Sequence, residues 1–229
     1  MLDGILSNFL TEYQMNFWHR ILLPAYGATF KMLFFTTIFS IILGFLLAVL
    51  LVVTNRGGIW QNKPVYEILS FIINIIRSFP VIILIVFMLP VTKAIVGTAI
   101  GVKAAIVPLT VSAAAFIAKL VESALQEVDP ELVEAMRSFG LRDRQVVFRV
   151  MFSEAMPAIV SGVIIATIAI LSATAVAGAV GAGGIGSVAL TYGYQSFNDT
   201  VMYITVISLI IMVQLIQWIG NAVYRKMKQ

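Results

Sequence analysis

The chain has 229 residues, of which 60% are hydrophobic and only 11% are charged. A soluble domain carries about 25% charged residues, so this composition cannot cover a globule with polar groups. The absence of cysteine excludes disulfides, thiolate metal sites and a thiol nucleophile, and the single histidine, His19, leaves little histidine-based chemistry. We therefore expect an all-α membrane protein, whose net charge of +4 reflects its orientation in the bilayer rather than nucleic-acid binding.

The N-terminal region, residues 1–26, mixes aromatic residues with polar ones. Because Trp and Tyr favour the membrane–water interface, this region predicts a short interfacial helix in which His19 has no chemical role. The first uncharged apolar run covers 32–53 and is long enough to cross a bilayer, which takes about 20 residues. The turn-forming sequence Thr-Asn-Arg-Gly-Gly at 54–58 ends this first predicted span.

Four further apolar stretches bring the predicted number of transmembrane helices to about five. The second stretch contains Arg77, Pro80 and Pro90, and the third contains Lys103 and Pro108. We place these four spans at about 71–91, 94–118, 156–180 and 201–223. The chain has no apparent repeat of fixed period, so an internally duplicated transporter is not expected.

The segment between the third and fourth spans, residues 119–154, is the long polar part of the chain. Asp-Pro-Glu at 129–131 is a helix-start pattern, because Asp caps helices, proline suits the first turn and Glu complements the positive helix end. Gly140 is expected to end that helix, and a second short helix is predicted over 141–151. A solvated connector could have this pattern, but connectors are usually short, which favours a segment that docks on another molecule.

Basic residues near the span ends predict the orientation, because cytoplasmic segments are enriched in Lys and Arg. With the N-terminus outside, the cytoplasmic basic residues are Arg56, Lys63, Lys119, Arg137, Arg142, Arg144, Arg149, Arg225, Lys226 and Lys228. The basic residues outside are then Arg20, Lys93 and Lys103. This bias predicts a multi-pass protein with its N-terminus outside and its C-terminus in the cytoplasm.

The short predicted helix and its glycine resemble the EAA loop of permease subunits in ATP-binding-cassette importers, which has the pattern E-A-A-x3-G-x9-I-x-L-P. Glu134, Ala135 and Gly140 match that pattern. The departures are Met136 for the second alanine, Val150 for the isoleucine and Phe-Ser at 152–153 for Leu-Pro. These changes are mild for a helix–hinge–helix shape.

Further blocks of sequence are similar to the methionine-uptake permeases of that superfamily. They occur at 77–80, 95–98, 105–111, 178–186, 192–194 and 198–202. The resemblance runs from about Tyr26 to Trp218, and it implies a type I importer permease fold with a cytoplasmic coupling-helix loop. It divides the chain into an N-terminal interfacial or extracytoplasmic segment (1–24), a permease domain (25–218) and a cytoplasmic tail (219–229).

The resemblance also implies function and partners. The expected activity is the import of methionine across a bacterial plasma membrane by a homodimer of permease chains. L-methionine is the expected substrate, and D-methionine is a further candidate. Two cytoplasmic ATPase subunits would bind ATP and Mg, and an extracytoplasmic methionine-binding protein would deliver the substrate. No catalytic residue, cofactor, metal or nucleic-acid partner is expected for this chain. The residues expected to couple to the ATPase are Glu134, Ala135, Gly140, Leu141, Arg142, Asp143 and Gln145.

The glycine-rich run 178–186 lacks the Gly-Lys-Ser/Thr of a phosphate-binding P-loop, so no nucleotide site is expected there. Small residues allow close helix packing, and a gate in a transport pathway would need the same packing. Arg77 should face protein or water, either capping carbonyls that Pro80 leaves free or contacting substrate. The candidate pathway or gate residues are Arg77, Pro80, Gly181, Gly183, Gly184 and Gly186.

Other functions fit parts of the pattern. A proton-coupled secondary transporter or a channel would act without an ATPase, but such proteins usually carry acidic residues within spans, and the acids here are assigned to loops or span ends. A membrane scaffold fits the long polar segment equally well. Among importers, the closest alternatives transport another amino acid or a methionine derivative, because the loop motif does not select a substrate.

Overall fold

The computed structural model describes residues 16–56 and 58–227, so most of the predicted N-terminal segment lies outside the described residues. The described part of the chain is helical and contains no β-strand, which confirms the predicted fold class. The helices are α1 (Trp18–Thr54), α2 (Lys63–Ser78), α3 (Val81–Phe87), α4 (Leu89–Val96), α5 (Val102–Gln126), α6 (Pro130–Ser138), α7 (Asp143–Ala182), α8 (Ile185–Val188, continued by wider turns over Ala189–Gln195) and α9 (Asp199–Met227).

Within the described residues, α1, α5, α7 and α9 are each long and apolar enough to cross a membrane, and α2 with α3 forms a bent fifth candidate. α1 is longer than the predicted first span, because it begins at Trp18 and includes the described part of the predicted interfacial segment. Pro24 does not interrupt α1, since it stands at the first turn of the regular helix, where a missing N–H is tolerated.

Pro80 breaks the predicted second span. Phe79 is extended, with φ −75° and ψ 129°, because the residue before a proline is kept out of the helical region. The Pro80 carbonyl then accepts hydrogen bonds from the N–H groups of Ile83 and Leu84, at 2.9 and 3.0 Å, and α3 begins there. The axes of α2 and α3 differ by 107°, so the segment predicted as one span over 71–91 is a bent pair.

α5 lies later in the chain than the predicted third span. Residues 94–96 belong to α4, and α5 begins at Val102 and continues to Gln126. Lys119 and Glu122, assigned from the sequence to the polar segment, do not end this helix. Their i,i+3 spacing puts opposite charges on one helix face, where they form an ion pair.

The structure corrects the prediction for the second half of the polar segment. The separate short helix predicted over 141–151 is the first part of α7, which continues as one helix through the predicted fourth span. Wide turns over Val146–Met151 make this junction, and Val146 and Val147 are buried there. The connection between α5 and α7 is therefore a single short helix, α6, with a short turn on each side.

α5 is the central helix, packed between α1 and α7. Its small side chains are buried at Ala113, Ala114, Ala115 and Ala118, which lets neighbouring helices approach closely. Gly44 of α1 sits against this surface, and a Cβ at that position would lie 2.8 Å from Cβ of Ile117. The large apolar side chains of α1 and α9 that point away from this core are exposed, as expected for lipid-facing surfaces.

The close approach at Gly44 generates the first prediction. Gly44→Ala introduces a methyl group into occupied space and should destabilise the bundle by about 1–3 kcal/mol. Gly27→Ala is the matched control on the same helix, since a Cβ at position 27 meets nothing within 4 Å. Thermal unfolding of the detergent-purified protein should show a lower midpoint for Gly44→Ala only, and equal midpoints would contradict the packing described.

Candidate docking helix and transmembrane cavity

α6 begins and ends where the sequence predicts. The Asp129 side chain accepts a hydrogen bond from the N–H of Glu131 at 2.8 Å, and Pro130 occupies the first turn. Gly140 has φ +86°, a left-handed conformation that most side chains avoid. Both ends of α6 are therefore set by local chemistry.

The two faces of α6 differ. Leu132 and Val133 pack against the buried cluster that α5 and α7 share, which includes Val121, Val128 and Val147. Glu134, Ala135 and Ser138 on the rest of α6 are exposed, and so is Phe139, which follows the helix. Phe139 is 79% exposed. α6 is thus fixed to the spans on one face, and its other face is exposed.

The turn between α6 and α7 is held by polar contacts. Nε of Arg137 lies 3.0 Å from Oδ1 of Asp143, across the Gly140 turn. The backbone N–H of Arg142 donates to Oε1 of Gln145 at 3.0 Å. Leu141 is half-buried, so of the predicted contact residues after Gly140 the exposed ones are Arg142 and Asp143. The structure brings all seven predicted coupling residues into one compact unit at the end of the bundle.

A buried polar network near the end of α5 is absent from the sequence-based site list. Nζ of Lys119 lies 2.7 Å from Oε2 of Glu122 and donates to Oγ of Ser70 at 2.8 Å. The Tyr66 hydroxyl donates to Oε1 of Glu122 at 2.9 Å, and Gln126 donates to the same oxygen at 3.3 Å. Glu122, assigned from the sequence to the polar segment, lies near the end of α5, and its side chain is only 4% exposed.

The network also locks α2 to α5, since Tyr66 and Ser70 come from α2. The i,i+3 spacing of Lys119 and Glu122 is the sequence signal that indicates it, but the partners from α2 follow only from the tertiary structure. A paired and hydrogen-bonded charge of this kind holds helices in register, because both groups lose their partners when the helices separate.

Arg77 does not cap the carbonyls freed by Pro80, which is a correction to one of its two predicted roles. Its guanidinium carbon lies 5.9 Å from the ring centroid of Phe116, on the face of α5. Both residues line a cavity of about 280 Å³ between α2, α3, α5 and α7. Pro80 lines a separate, more open groove with Phe71 and Ile83.

The glycine-rich run forms the reversal between α7 and α8. A Cβ at Gly178 would lie 2.6 Å from the backbone nitrogen of Ser187, and one at Gly186 would collide with Ala175. Gly184 packs against Thr29 of α1, whose hydroxyl accepts the N–H of Ile185 at 2.9 Å. Gly181, at φ +90°, accepts the N–H of Gly101 at 3.0 Å, and Gly183 also has positive φ, at +78°. This part of the predicted gate list lies away from the Arg77 cavity.

The described helices thus form an apolar bundle with one bent span and a short helix whose outer face is exposed. Residues 40–229, most of the chain, match the family described as the binding-protein-dependent transport system inner membrane component, and the chain belongs to this family. The match confirms the resemblance predicted from the sequence.

Individual relatives match three quarters or more of this chain. The probable D-methionine transport system permease protein MetI of Vibrio cholerae serotype O1 is 44% identical over 206 residues, which are 90% of this chain and 92% of that protein. The methionine import system permease protein MetP of Bacillus subtilis strain 168 is 42% identical over 174 residues, which are 76% of this chain and 78% of that protein.

Solved structures share the fold. A chain of the MetNI methionine ABC transporter in an inward-facing conformation matches with a TM-score of 0.87 and 43% sequence identity, covering 92% of this chain and 98% of that chain. A chain of an amino acid ABC transporter crystallised with histidines matches with a TM-score of 0.78 at 18% identity, which is a likeness of fold alone.

The buried network at the end of α5 generates the second prediction. Glu122→Gln leaves the Lys119 charge without a counter-ion and should destabilise the protein toward the lower end of about 3–5 kcal/mol. The matched control is Glu67→Gln on α2, which breaks an exposed i,i+4 pair with Lys63 at 3.6 Å, worth at most about 1 kcal/mol. Thermal midpoints in detergent measure both effects. An unchanged midpoint for Glu122→Gln would show that the network does not hold α2 on α5.

Proposed function

We propose that this chain is the permease subunit of an ATP-driven, binding-protein-dependent importer that moves methionine into the cytoplasm. Family membership supports the transport class. The methionine assignment rests on relatives whose names specify methionine or D-methionine and whose sequences are 42–44% identical over most of this chain. The import of L- and D-methionine is proposed together, because the chain's residues give no reason to separate them.

The proposed complex contains two copies of this chain, two cytoplasmic ATPase subunits and an extracytoplasmic methionine-binding protein. The likeness to a chain of an ABC transporter supports the ATPase partner. ATP and Mg belong to that partner, since the glycine-rich run 178–186 of this chain lacks the lysine of a P-loop. This chain performs no bond chemistry and supplies the path and the mechanical linkage.

The observation that carries the proposal is the position of α6. Three residues separate it from α5 and four from α7, and Leu132 and Val133 fix it to the cluster that both spans share. A partner that binds the exposed face and moves α6 therefore displaces α5 and α7 together. Because packed helices move as rigid units, closing of the ATPase subunits would change the angle of these spans and alternate the side on which the path opens.

The proposed orientation rests on the distribution of basic residues. α6, Arg56, Lys63, Arg225 and Lys226 are assigned to the cytoplasmic side, where basic residues are favoured and where an ATPase has access to α6. Arg20, Lys93 and Lys103 are then outside, beside the proposed docking side for the binding protein. The protein is thus proposed to span a bacterial plasma membrane with its N-terminus out.

Reconstitution tests the proposal and supplies the third prediction. The chain is purified with its ATPase partner, reconstituted in liposomes with the binding protein present, and assayed for uptake of labelled methionine against a panel of unlabelled amino acids. We expect uptake that requires ATP, the ATPase partner and the binding protein, with methionine as the strongest competitor. Because each component supplies a separate step, omission of any one should abolish uptake.

The outcomes separate the parts of the proposal. ATP-dependent uptake of a different solute would retain the importer class and reject methionine. Uptake by the chain without ATPase or ATP would reject the importer and favour a secondary transporter. A complex that hydrolyses ATP but moves no solute would leave only a scaffold role for the chain.

The turn at Gly140 generates the fourth prediction. Valine in a left-handed conformation costs about 1–2 kcal/mol, whereas asparagine adopts it readily. A Cβ at position 140 meets nothing within 4 Å, so the two substitutions differ in backbone strain and not in clashes. We expect Gly140→Val to re-angle α6 and lower methionine uptake per ATP hydrolysed, and Gly140→Asn to retain coupling. Equal uptake per ATP in both variants would remove the mechanical role of this turn.

A further inference from the structure

The cavity beside Arg77 combines one cation with an apolar wall. We call it the Arg77 cavity. It has a volume of about 280 Å³, close to the lower end of the range for small-molecule pockets. The wall is formed mainly by Phe116, Leu109, Ile170 and small alanine side chains from α5 and α7, and the neutral polar side chain among the lining residues is Ser112.

The Arg77 cavity lies between the ends of the spans, and the Arg77 side chain is exposed there rather than buried. Phe116 stands well inside α5, about 21 Å along the axis from Val102 and about 15 Å from Gln126 at 1.5 Å per residue. Ala166, Ala169 and Ala173 place the opposite wall within the long apolar part of α7. Arg77 is therefore an ionised group far from both ends of the spans, and such residues mark substrate or ion pathways unless a partner neutralises them.

Arg77 has no neutralising partner among the described residues. The salt bridges in residues 16–56 and 58–227 are Lys63–Glu67, Lys119–Glu122 and Arg137–Asp143. Arg77 instead lies over the Phe116 ring, an arrangement that leaves the guanidinium N–H donors available. A guanidinium presents paired donors in the geometry that a carboxylate accepts, so an anionic carboxylate is the group that best fits this site.

The neighbouring cavity supports this choice. Arg77 also lines a second, polar cavity of about 330 Å³ with Tyr66, Lys119, Glu122 and Gln126. The carboxylate of Glu122 is occupied by Lys119, Tyr66 and Gln126, so it is not available to pair with Arg77. Arg77 thus stands between an apolar chamber and a polar opening that leads toward the α6 end of the bundle.

We propose that Arg77 binds the carboxylate of the transported amino acid, while the apolar side chain of that substrate occupies the Arg77 cavity against Phe116. The Ser112 hydroxyl is the acceptor for the substrate ammonium group. The inference rests on the proposed function and adds a substrate site within the membrane. It requires a substrate that is an amino acid with an apolar side chain of moderate length, because the wall offers no second charge.

The test compares charge loss at two positions of α2 in the full reconstituted complex. Arg77→Gln removes the carboxylate partner, and Lys63→Gln removes an exposed cation of the same helix that lines neither cavity. At limiting methionine we expect uptake by Arg77→Gln to fall about tenfold or more, and uptake by Lys63→Gln to stay within about twofold. Arg77→Lys should fall between them, because lysine keeps the charge without the paired donors.

ATP hydrolysis separates substrate binding from assembly. Stimulation of hydrolysis by the binding protein should be retained in Arg77→Gln, since α6 and its anchoring residues are untouched. A second pair of variants keeps the inference testable if the arginine variants fold poorly. Ala169→Leu fills the Arg77 cavity. Its control, Ala222→Leu, makes the same change at the exposed end of α9. Uptake should fall for Ala169→Leu only.

Wild-type uptake by Arg77→Gln or by Ala169→Leu would overturn the inference. An equal loss of uptake in Lys63→Gln and Arg77→Gln would also overturn it, because the effect would then be a general one of charge on α2. Failure of the wild-type complex to take up methionine would instead reject the proposed substrate. The two failures are therefore distinguished within one series of experiments.

Discussion

Close packing of the alanine-rich helix α5 against α1 and α7 is the contact on which the rest of the structure depends. Lipid chains are as apolar as the side chains of the spans, so helices in a membrane associate through close fit rather than through exclusion of water. Gly44 on α1 and the buried alanines of α5 supply that fit. Because α5 also carries Phe116 and Glu122 and leads directly into α6, its position fixes both the cavity and the docking helix.

The charges within the bundle fall into two kinds. Lys119 and Glu122 satisfy one another and are hydrogen-bonded by α2, so they act as a structural link between two helices. Arg77 lies beside an aromatic ring and forms no salt bridge within the described residues, so its charge is available to an anionic ligand. The bundle thus uses one charged pair to hold helices in register at its end, and the site proposed at Arg77 would use a second charge for recognition.

The sequence predicts best those features that depend on neighbouring residues. The start and the end of α6 follow from Asp129, Pro130 and Gly140, because capping and a left-handed glycine act within a single turn. The family resemblance predicted the overall fold, and it is also the source of the docking role proposed for this helix. Span ends were less predictable: the charges at 119 and 122 indicate a loop when read singly but belong to α5, since their pairing lets the helix continue.

Features made by distant residues escape such reasoning. Arg77 was predicted to cap the carbonyls near Pro80, but its guanidinium lies over the Phe116 ring instead. The chain bends at Phe79, and this bend allows Arg77 to reach Phe116. The partners of Glu122 from α2 are likewise a product of helix packing and not of spacing in the sequence. The Arg77 cavity requires α2, α3, α5 and α7 together, so no local pattern indicates it.

The central claim is that the exposed face of α6 docks on the ATPase, and thiol labelling tests it most directly. The chain contains no cysteine, so one introduced thiol reports one position. We expect maleimide labelling of Ser138→Cys, on the exposed face of α6, to slow by about tenfold or more when the ATPase subunit binds, as at other well-packed interfaces. Ile100→Cys, exposed at the opposite end of the bundle, should label at the same rate with and without the ATPase. Unprotected labelling of Ser138→Cys in the assembled complex would contradict the claim.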